Sequence, residues 1–212
     1  MHQIQRPDLF THIHKGLRLM LYELAADMQR TDFSRSDEET AIIARVLLCL
    51  DLLDEHGVHE DTSIFPAVQV MEPGTLRMLS IDHEQLASVS YSVKDAIETL
   101  RNAVAAEKHI AGAELLRCFN TLVASQLHHM NREEDTALPA TWKYLSDEQI
   151  LAIRSGIQAK QTPERYKIWL RLMLRAMNSK EIEMLHRSVQ KAAPPAVVAL
   201  IDAEIAELGA RR

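Results

Sequence analysis

An imidazole and a carboxylate recur in this chain four residues apart, and a proline follows each pair. The two copies of this His-x3-Glu-x5-Pro pattern are His56, Glu60 and Pro66, and His129, Glu133 and Pro139. Residues four apart on an α-helix share a face, with about 5–6 Å between Cβ atoms, so each pair points its two side chains at the same place. Random placement of the same residues would give roughly 0.03 copies per chain. Two copies therefore predict a duplicated metal-binding site.

Two further histidines extend the duplication. His14 precedes His56 by 42 residues, and His83 precedes His129 by 46. A leucine follows each of these new histidines at three residues and a tyrosine at eight, which indicates two matching helical hairpins. Such hairpins would bring all four imidazoles and both carboxylates around one point. The six predicted metal ligands are His14, His56, Glu60, His83, His129 and Glu133.

Six donors in a symmetric arrangement exceed the four that a tetrahedral zinc ion takes. Two metal ions that share the two carboxylates explain the number better. The symmetry then gives each ion two imidazoles and one oxygen from each glutamate, with a solvent-derived bridging oxygen as a fifth donor. One position on each ion stays open for a small exogenous ligand. Imidazole and carboxylate suit iron, and they do not reject zinc or manganese by geometry alone.

The composition favours an all-α protein without a membrane span. Hydrophobic residues make up 47% of the 212 residues, aromatic residues make up only 5%, and there are only six Gly and seven Pro. Such a composition is typical of long helices. No run of about 18 uncharged apolar residues occurs, and the N-terminus lacks the pattern of a signal peptide. We therefore expect a soluble, cytoplasmic protein.

Apolar residues recur at spacings of three and four along four long segments, which predicts four long helices. These run from about Asp8, as N-cap, to Met28, from just after Ser36-Asp37-Glu38-Glu39 to Phe65-Pro66, from about Thr75 to Glu107, and from about Ala111 to Leu138-Pro139. Short links predict an up-down-up-down four-helix bundle. Shorter helices are predicted near 147–158, 163–177, 178–191 and 194–208. We thus expect a bundle domain over residues 1–142 and a helical extension over residues 143–212.

Charge is unevenly distributed between these two parts. Residues 1–142 carry 12 Lys and Arg against 22 Asp and Glu, whereas residues 143–212 carry 12 against 8. The acidic first part argues against nucleic acid as a partner. We expect the basic extension to dock on it, within one chain or across a homodimer. For the basic amphipathic segment Tyr166–Met177, the alternative to packing on the bundle is binding to a membrane surface or a partner.

The ligand pattern resembles the hemerythrin-like HHE cation-binding domain over about residues 8–142. The resemblance rests on His14 in Ile-His-Lys-Gly-Leu-Arg, on His56-x3-Glu60 with Glu-Asp-x3-Phe-Pro, on His83 in Asp-His-Glu, and on His129-x3-Glu133. It implies a four-helix bundle that holds two non-haem iron ions with a bridging oxo or hydroxo group. It implies the same six ligands that the spacing predicts.

One position departs from the oxygen-carrying hemerythrins, which use five histidines and a His-x3-His pair on the fourth helix. Glu133 stands at that position, and the four-His, two-Glu set looks closer to members associated with nitric oxide stress and repair of iron centres. We expect a protein that binds O2 or NO for sensing or stress response, rather than an enzyme. The alternatives are an iron donor for damaged iron–sulfur centres and a di-iron oxidase or peroxidase-like enzyme. A fifth histidine ligand, for instance His59 or His128, would favour oxygen storage.

Three acidic residues follow the ligand glutamates, namely Asp61, Glu134 and Asp135. They either orient ligand imidazoles by accepting hydrogen bonds or are exposed helix charges. His12 and His128 are expected at the surface or behind the ligands.

Tyr22 and Tyr91 have matched positions in the two hairpins. They are either core residues or hydrogen-bonding and gating residues at the metal site. Cys49 and Cys118 are predicted to face the same interior, either as buried thiols or as a redox pair.

Overall fold

Helices account for all the regular structure in the described part of the chain. The computed structural model describes residues 6–192 and 195–210, and within these ranges it contains ten α-helices, one π-helical segment and no strand. The α-helices are α1 (Thr11–Met28), α2 (Ser36–His59), α3 (Phe65–Val68), α4 (Pro73–Asn102), α5 (Lys108–Asp135), α6 (Ala137–Tyr144), α7 (Asp147–Ala159), α8 (Pro163–Ala176), α9 (Ser179–Ala192) and α10 (Pro195–Ala210). The all-α prediction is confirmed. Residues 1–5, 193–194 and 211–212 of the predicted ranges lie outside the described residues.

Four long helices surround the main core. Helix α1 packs against α2 and α5, and α4 packs against the same two helices. The predicted apolar stripe supplies the buried face, since Leu17, Leu21 and Leu24 of α1 and Val46 and Leu50 of α2 are all buried. Full burial of a side chain of this size stabilises a fold by about 1.5–3 kcal/mol relative to exposure. The stripe therefore determines which face of each helix turns inward.

Two of the predicted helices are divided near their prolines. The second becomes π-helical over Glu60–Ile64, where the N–H of Phe65 donates to the carbonyl of Glu60, and continues as α3. The fourth ends at Asp135, and Thr136, with φ −127° and ψ −60°, separates α5 from α6. Proline has no N–H, and its ring crowds the preceding turn, so a regular helix does not run through it. The predicted number of helices was therefore too small.

The C-terminal helices pack on α1 and on one another. Helix α8 lies along α1, and its Trp169 and Leu172 are buried in the main core. Helices α8, α9 and α10 share a separate core around Leu170, Leu174 and Ile201. The apolar face of α8 is thus turned toward the rest of the protein.

Ion pairs join these basic helices to the acidic part of the chain. Nη2 of Arg175 lies 2.6 Å from Oε1 of Glu23, and Nη2 of Arg165 lies 2.6 Å from Oδ2 of Asp51. In both pairs the basic residue belongs to the C-terminal part and the acidic residue to the N-terminal part, as the uneven charge distribution predicts. None of the helices in residues 6–192 and 195–210 combines the length and apolar character that a membrane crossing requires.

Gly112 of α5 lies against the side chain of Phe33, and an added Cβ would overlap the aromatic ring. We predict that Gly112→Ala lowers the free energy of unfolding by about 1–3 kcal/mol, because Phe33 has to move within the core. Gly156→Ala is the matched control, since no atom lies within 4 Å of its added Cβ. Removing a helical glycine there should stabilise the protein by about 0.5–1 kcal/mol. Denaturant unfolding measures both, and equal effects would contradict the packing described here.

Candidate metal centre

All six predicted ligands lie together inside the helical body. His14 is on α1, His56 on α2, Glu60 opens the π-helical segment, His83 is on α4, and His129 and Glu133 are on α5. Five of them are buried, and the side chain of the sixth, His83, is 13% exposed. Four long helices, the second of them continued by the π-helical segment, thus deliver polar side chains to one interior point.

The donors form two groups that share both glutamates. The first group is His14, His56, Glu60 and Glu133, and the second is Glu60, His83, His129 and Glu133. Within each group the donor atoms lie within 4.8 Å of one another. Symmetry alone left open which two histidines belong to one group. In the structure they come from the two helices of the same hairpin.

Each carboxylate turns one oxygen toward each group. Oε1 of Glu60 lies 3.2 Å from Nε2 of His56, and its Oε2 lies 3.4 Å from Nε2 of His83. Oε1 of Glu133 lies 3.1 Å from Nε2 of His129, and its Oε2 lies 3.4 Å from Nε2 of His14. The two glutamates therefore have the orientation of bridging ligands.

Hydrogen bonding does not explain this arrangement. Among the residues that the structure describes, no hydrogen-bond partner reaches these buried atoms: all four oxygens of Glu60 and Glu133, both ring nitrogens of His83 and Nε2 of His129. In folded proteins about 90% or more of buried polar groups have such a partner. Nε2 of His14 and Nε2 of His56 also lie only 3.1 Å apart. A pair of cations would satisfy these donors at once, so the residues fit a two-metal centre.

The π-helical segment positions the first glutamate. It begins at Glu60, four residues after His56, and ends just before Phe65 and Pro66. Single-turn π-helices inside α-helices are frequent at functional sites. The second hairpin reaches the same geometry differently, because His129 and Glu133 both lie on regular α-helix and the irregularity comes at Thr136. In both hairpins the helix therefore loses its regularity at or soon after the ligand glutamate.

Carboxylates on the far side of the rings hold three of the imidazoles. Glu134 lies 2.9 Å from Nδ1 of His14, and Arg18 in turn lies 2.7 Å from Glu134. Asp61 lies 3.0 Å from Nδ1 of His83, in ion-pair contact rather than in hydrogen-bond geometry. Both acids were predicted either to accept hydrogen bonds from ligand imidazoles or to be exposed charges. The first interpretation holds for Glu134, whereas Asp61 is an exposed charge that pairs with His83.

Asp82 was missed by the sequence reasoning. Its Oδ2 lies 3.4 Å from Nδ1 of His129 and 2.7 Å from Nη1 of Arg132. The available signal was the position of Asp82 directly before a ligand in the Asp-His-Glu sequence. The third residue considered in this role, Asp135, is instead exposed and makes no such contact in the structure.

The buried carboxylates change how the imidazoles titrate without metal. Although burial lowers the pKa of a histidine, Glu134 and Glu60 raise the pKa of His14 to about 9. Glu133 and Glu60 likewise outweigh burial and raise the pKa of His83 to about 11. Burial lowers the pKa of His56 to about 4. Protons thus partly compensate the buried negative charge in the metal-free chain.

The other candidate histidines lie outside both donor groups. His12 and His59 are partly exposed, and His128 is exposed. Neither His59 nor His128 adds a fifth imidazole to either of the groups found among the described residues.

The prediction for the tyrosines was wrong. Tyr22 is 52% exposed and Tyr91 is 71% exposed, so neither is a core residue. A residue eight positions after a ligand is rotated by about 80° around the helix axis, and both rings turn toward solvent.

The cysteines do not form a disulfide. Cys49 is buried in the main core, whereas Cys118 is only partly buried and lies 3.6 Å from Oε1 of Glu114. Both thiols are free. Only Cys49 matches the expected buried thiol.

A cleft of about 390 Å³ opens between α4 and α5 beside the second donor group. Its lining includes His129 and Asp82 together with Leu86, Val89 and Ala124. Three of the lining side chains are apolar, and the other five, which include Gln85, Ser125 and His128, are polar.

Two adjoining groups of His and Glu donors inside a helical chain are typical of a metal-binding protein. The family model of the hemerythrin HHE cation-binding domain matches residues 6–141. The match covers more than half of the sequence, and the chain belongs to the hemerythrin family. No curated protein and no solved structure matches the chain significantly. The family resemblance seen in the sequence is confirmed, and cation binding agrees with the donor groups.

We predict that metal loading at pH 7 releases at least two protons per chain, because metals bind the unprotonated imidazole. His14 and His83 both have a pKa above 7 in the metal-free chain and must each lose a proton. For the same reason the apparent affinity should rise with pH between 6 and 8. A pH indicator in weakly buffered solution measures the release. His12→Ala is the control and should leave the count unchanged, since burial lowers the pKa of His12. Loading without proton release would contradict the protonated state of His14 and His83 in the metal-free chain.

Removing the carboxylate behind His129 should weaken metal binding. We predict that Asp82→Asn raises the dissociation constant of a bound metal by about 10–100-fold, the usual effect of losing an acid that orients a ligand histidine. Asp135→Asn removes the same charge from an exposed position of α5 and should have little effect. Competition with a chelator measures both variants. Equal affinities of the two variants would show that Asp82 does not orient His129.

Proposed function

We propose that this chain is a non-haem di-iron protein that binds O2 or NO in sensing or stress response. His14 and His56 would hold one ion, and His83 and His129 the other. Glu60 and Glu133 would each give one carboxylate oxygen to each ion, and an oxo or hydroxo group would be a further donor. The observation that carries this proposal is the orientation of the two glutamates, each with one oxygen toward each histidine pair.

Iron suits this donor set better than zinc does. Zinc centres are mostly four-coordinate, and two imidazoles with two carboxylate oxygens would already complete such an ion. Non-haem iron accepts further donors and keeps open positions beside histidine and carboxylate ligands. When bound, the two irons would supply reversible ligation of a diatomic molecule together with a change between Fe(II) and Fe(III).

The protein residues supply orientation and the exclusion of water. Glu60, Glu133 and His14 have no solvent exposure. Phe65 stacks on His83 with ring centroids 5.6 Å apart, and Phe10 lies 5.7 Å from the ring of His14. These aromatic side chains close one end of the centre. The cleft between α4 and α5 supports a small ligand, because it opens beside His129 of the second donor group and offers both polar and apolar side chains.

The donor set favours sensing over simple oxygen carriage. The resemblance attributes two unequal irons and five histidines to the oxygen-carrying members. Glu133 instead gives both halves of this centre the same donor types, and His59 and His128 contribute to neither half. Transfer of iron to damaged iron–sulfur centres and oxidase or peroxidase-like activity are the competing functions.

We further propose that residues 1–142 form an up-down-up-down four-helix bundle and that residues 143–212 form an extension docked on it. The closed arrangement of α1, α2, α4 and α5 supports the bundle. The packing of α8 on α1 supports docking within one chain.

The test of function is anaerobic loading with Fe(II), followed by iron analysis and optical spectroscopy. We expect two irons per chain and new absorption bands on addition of O2 or NO. The bands should disappear when the gas is removed. Glu60→Ala should lose iron, because it removes an oxygen from both positions. Glu84→Ala is the matched control, since Glu84 is exposed on α4 and should bind iron like the unmodified chain.

Four results would contradict the proposal. One is fewer than two irons per chain, and another is a spectrum that neither gas changes. Rapid transfer of iron to an apo iron–sulfur protein without stable gas-dependent bands would favour the donor function. Sustained turnover of peroxide would favour the enzyme.

A further inference from the structure

His56 lacks the acidic partner that the other three imidazoles have. Apart from Glu60, which faces Nε2, no described carboxylate lies within ion-pair distance of this ring. The repeat shows where a partner would stand. Asp82 directly precedes His83, and the residue that directly precedes His14 is Ile13. The acid that holds His129 in the second hairpin therefore has no acidic counterpart in the first.

The C-terminal extension contacts the chain at the residue next to His56. Nε of Arg165 donates to Oε2 of Glu55, and the indole Nε1 of Trp169 donates to Oε1 of Glu55 at 3.2 Å. Nη2 of Arg165 also lies 2.6 Å from Asp51, one turn earlier on α2. Trp169 is almost fully buried, and Arg165 and Glu55 are about one-fifth exposed. These three bonds hold the last turns of α2, which carry His56.

A second set of contacts lies beside His14. Gly16 allows close approach of α8, because a Cβ there would lie only 3.0 Å from Cγ and 3.2 Å from backbone atoms of Leu172. Nζ of Lys15 lies 2.7 Å from Oε2 of Glu181 at the start of α9. Residues 15 and 16 directly follow His14. The extension thus contacts neighbours of both imidazoles in the first donor group.

The contacts of α7 reach the shared Glu60 segment and the other half as well, since its Ile150 lies in a core with Leu76 of α4 and with Phe65, which stacks on His83. Helix α7 packs against the π-helical segment that begins with Glu60, and Nζ of Lys160 lies 3.5 Å from Oγ of Ser63 within it. The main packing of α7 and α8 on the rest of the protein is with this segment and with α1. The second donor group instead has its own acids, Asp61 and Asp82.

We propose that Arg165 and Trp169 are positioning residues for the His14/His56 half of the metal centre, in place of the missing acid. They act through Glu55, whose fixed side chain holds the end of α2 in the register that points His56 at His14 and Glu60. This inference rests on the proposed di-metal function. The extension and the metal are then thermodynamically linked, so an ion bound at this half stabilises docking of α8, and docking strengthens binding of that ion.

The test compares two arginines on the same helix. Arg165→Ala removes the contact with Glu55, whereas the control Arg175→Ala removes an ion pair between α8 and Glu23, nine residues after His14. Full-length chains are loaded with two Fe(II) anaerobically and mixed with excess chromogenic chelator. In Arg165→Ala we expect one iron per chain to leave about 10–100-fold faster, by analogy with the loss of an orienting acid. The other iron should leave at the unmodified rate, and both irons of Arg175→Ala should do so.

Trp169→Phe is a second variant, which keeps an aromatic ring in the core, removes the hydrogen bond to Glu55 and leaves a smaller buried side chain. It should accelerate release of the same single iron, by a smaller factor than Arg165→Ala. Circular dichroism establishes whether each variant retains its helices. If Arg165→Ala does not fold, the rate of iron release from Trp169→Phe tests the inference. Release of both irons at the unmodified rates, or equal acceleration of both, would overturn the inference. An unmodified chain that binds fewer than two irons would instead overturn the proposed function.

Discussion

The structure depends on positive charge that compensates two buried glutamates. Glu60 and Glu133 lie in the interior without hydrogen-bond partners for their oxygens. An ionised carboxylate taken out of water costs far more than a core of this size can absorb unless positive charge compensates it. In the metal-free chain the imidazoles of His14 and His83 provide that charge by holding protons. Cations shared by both glutamates would provide it with better geometry and with all donors satisfied.

The architecture follows from the need to bring these groups together. No single helix supplies more than one His/Glu pair, so four helical segments from two hairpins must converge on one point. The apolar stripes of the long helices supply the burial that stabilises this convergence, and the aromatic rings of Phe10 and Phe65 close it at one end. The irregular backbone lies where the centre needs it. The π-helical turn at Glu60 and the break at Thr136 both lie close to a ligand glutamate.

Local sequence patterns predicted the parts of the site that depend on local geometry. A four-residue spacing places His56 with Glu60, and His129 with Glu133, whatever the rest of the chain does. The apolar periodicity likewise predicted the long helices. The grouping of His14 with His56 depends on how the hairpins pack, and residue spacing carries no such information. The partnership of Asp82 with His129 was missed for the same reason, because it joins α4 to α5 across 47 positions.

Two errors have simple physical causes. The helices were predicted to run as far as Pro66 and Pro139, although the constraint that proline places on the preceding turn extends back toward the ligand glutamate. Tyr22 and Tyr91 were given interior roles from matched numbering, although eight residues do not complete a whole number of helical turns. The charge contrast between residues 1–142 and 143–212 was informative, because the basic residues of α8 do contact acidic residues of α1 and α2.

The most direct test of a shared two-ion centre is an anomalous difference map from crystals of the iron-loaded chain, with data collected on both sides of the iron absorption edge. We expect two peaks of similar height, one facing His14 and His56 and the other facing His83 and His129, with Glu60 and Glu133 between them. A single peak, or iron located only at the protein surface, would contradict a shared two-ion centre.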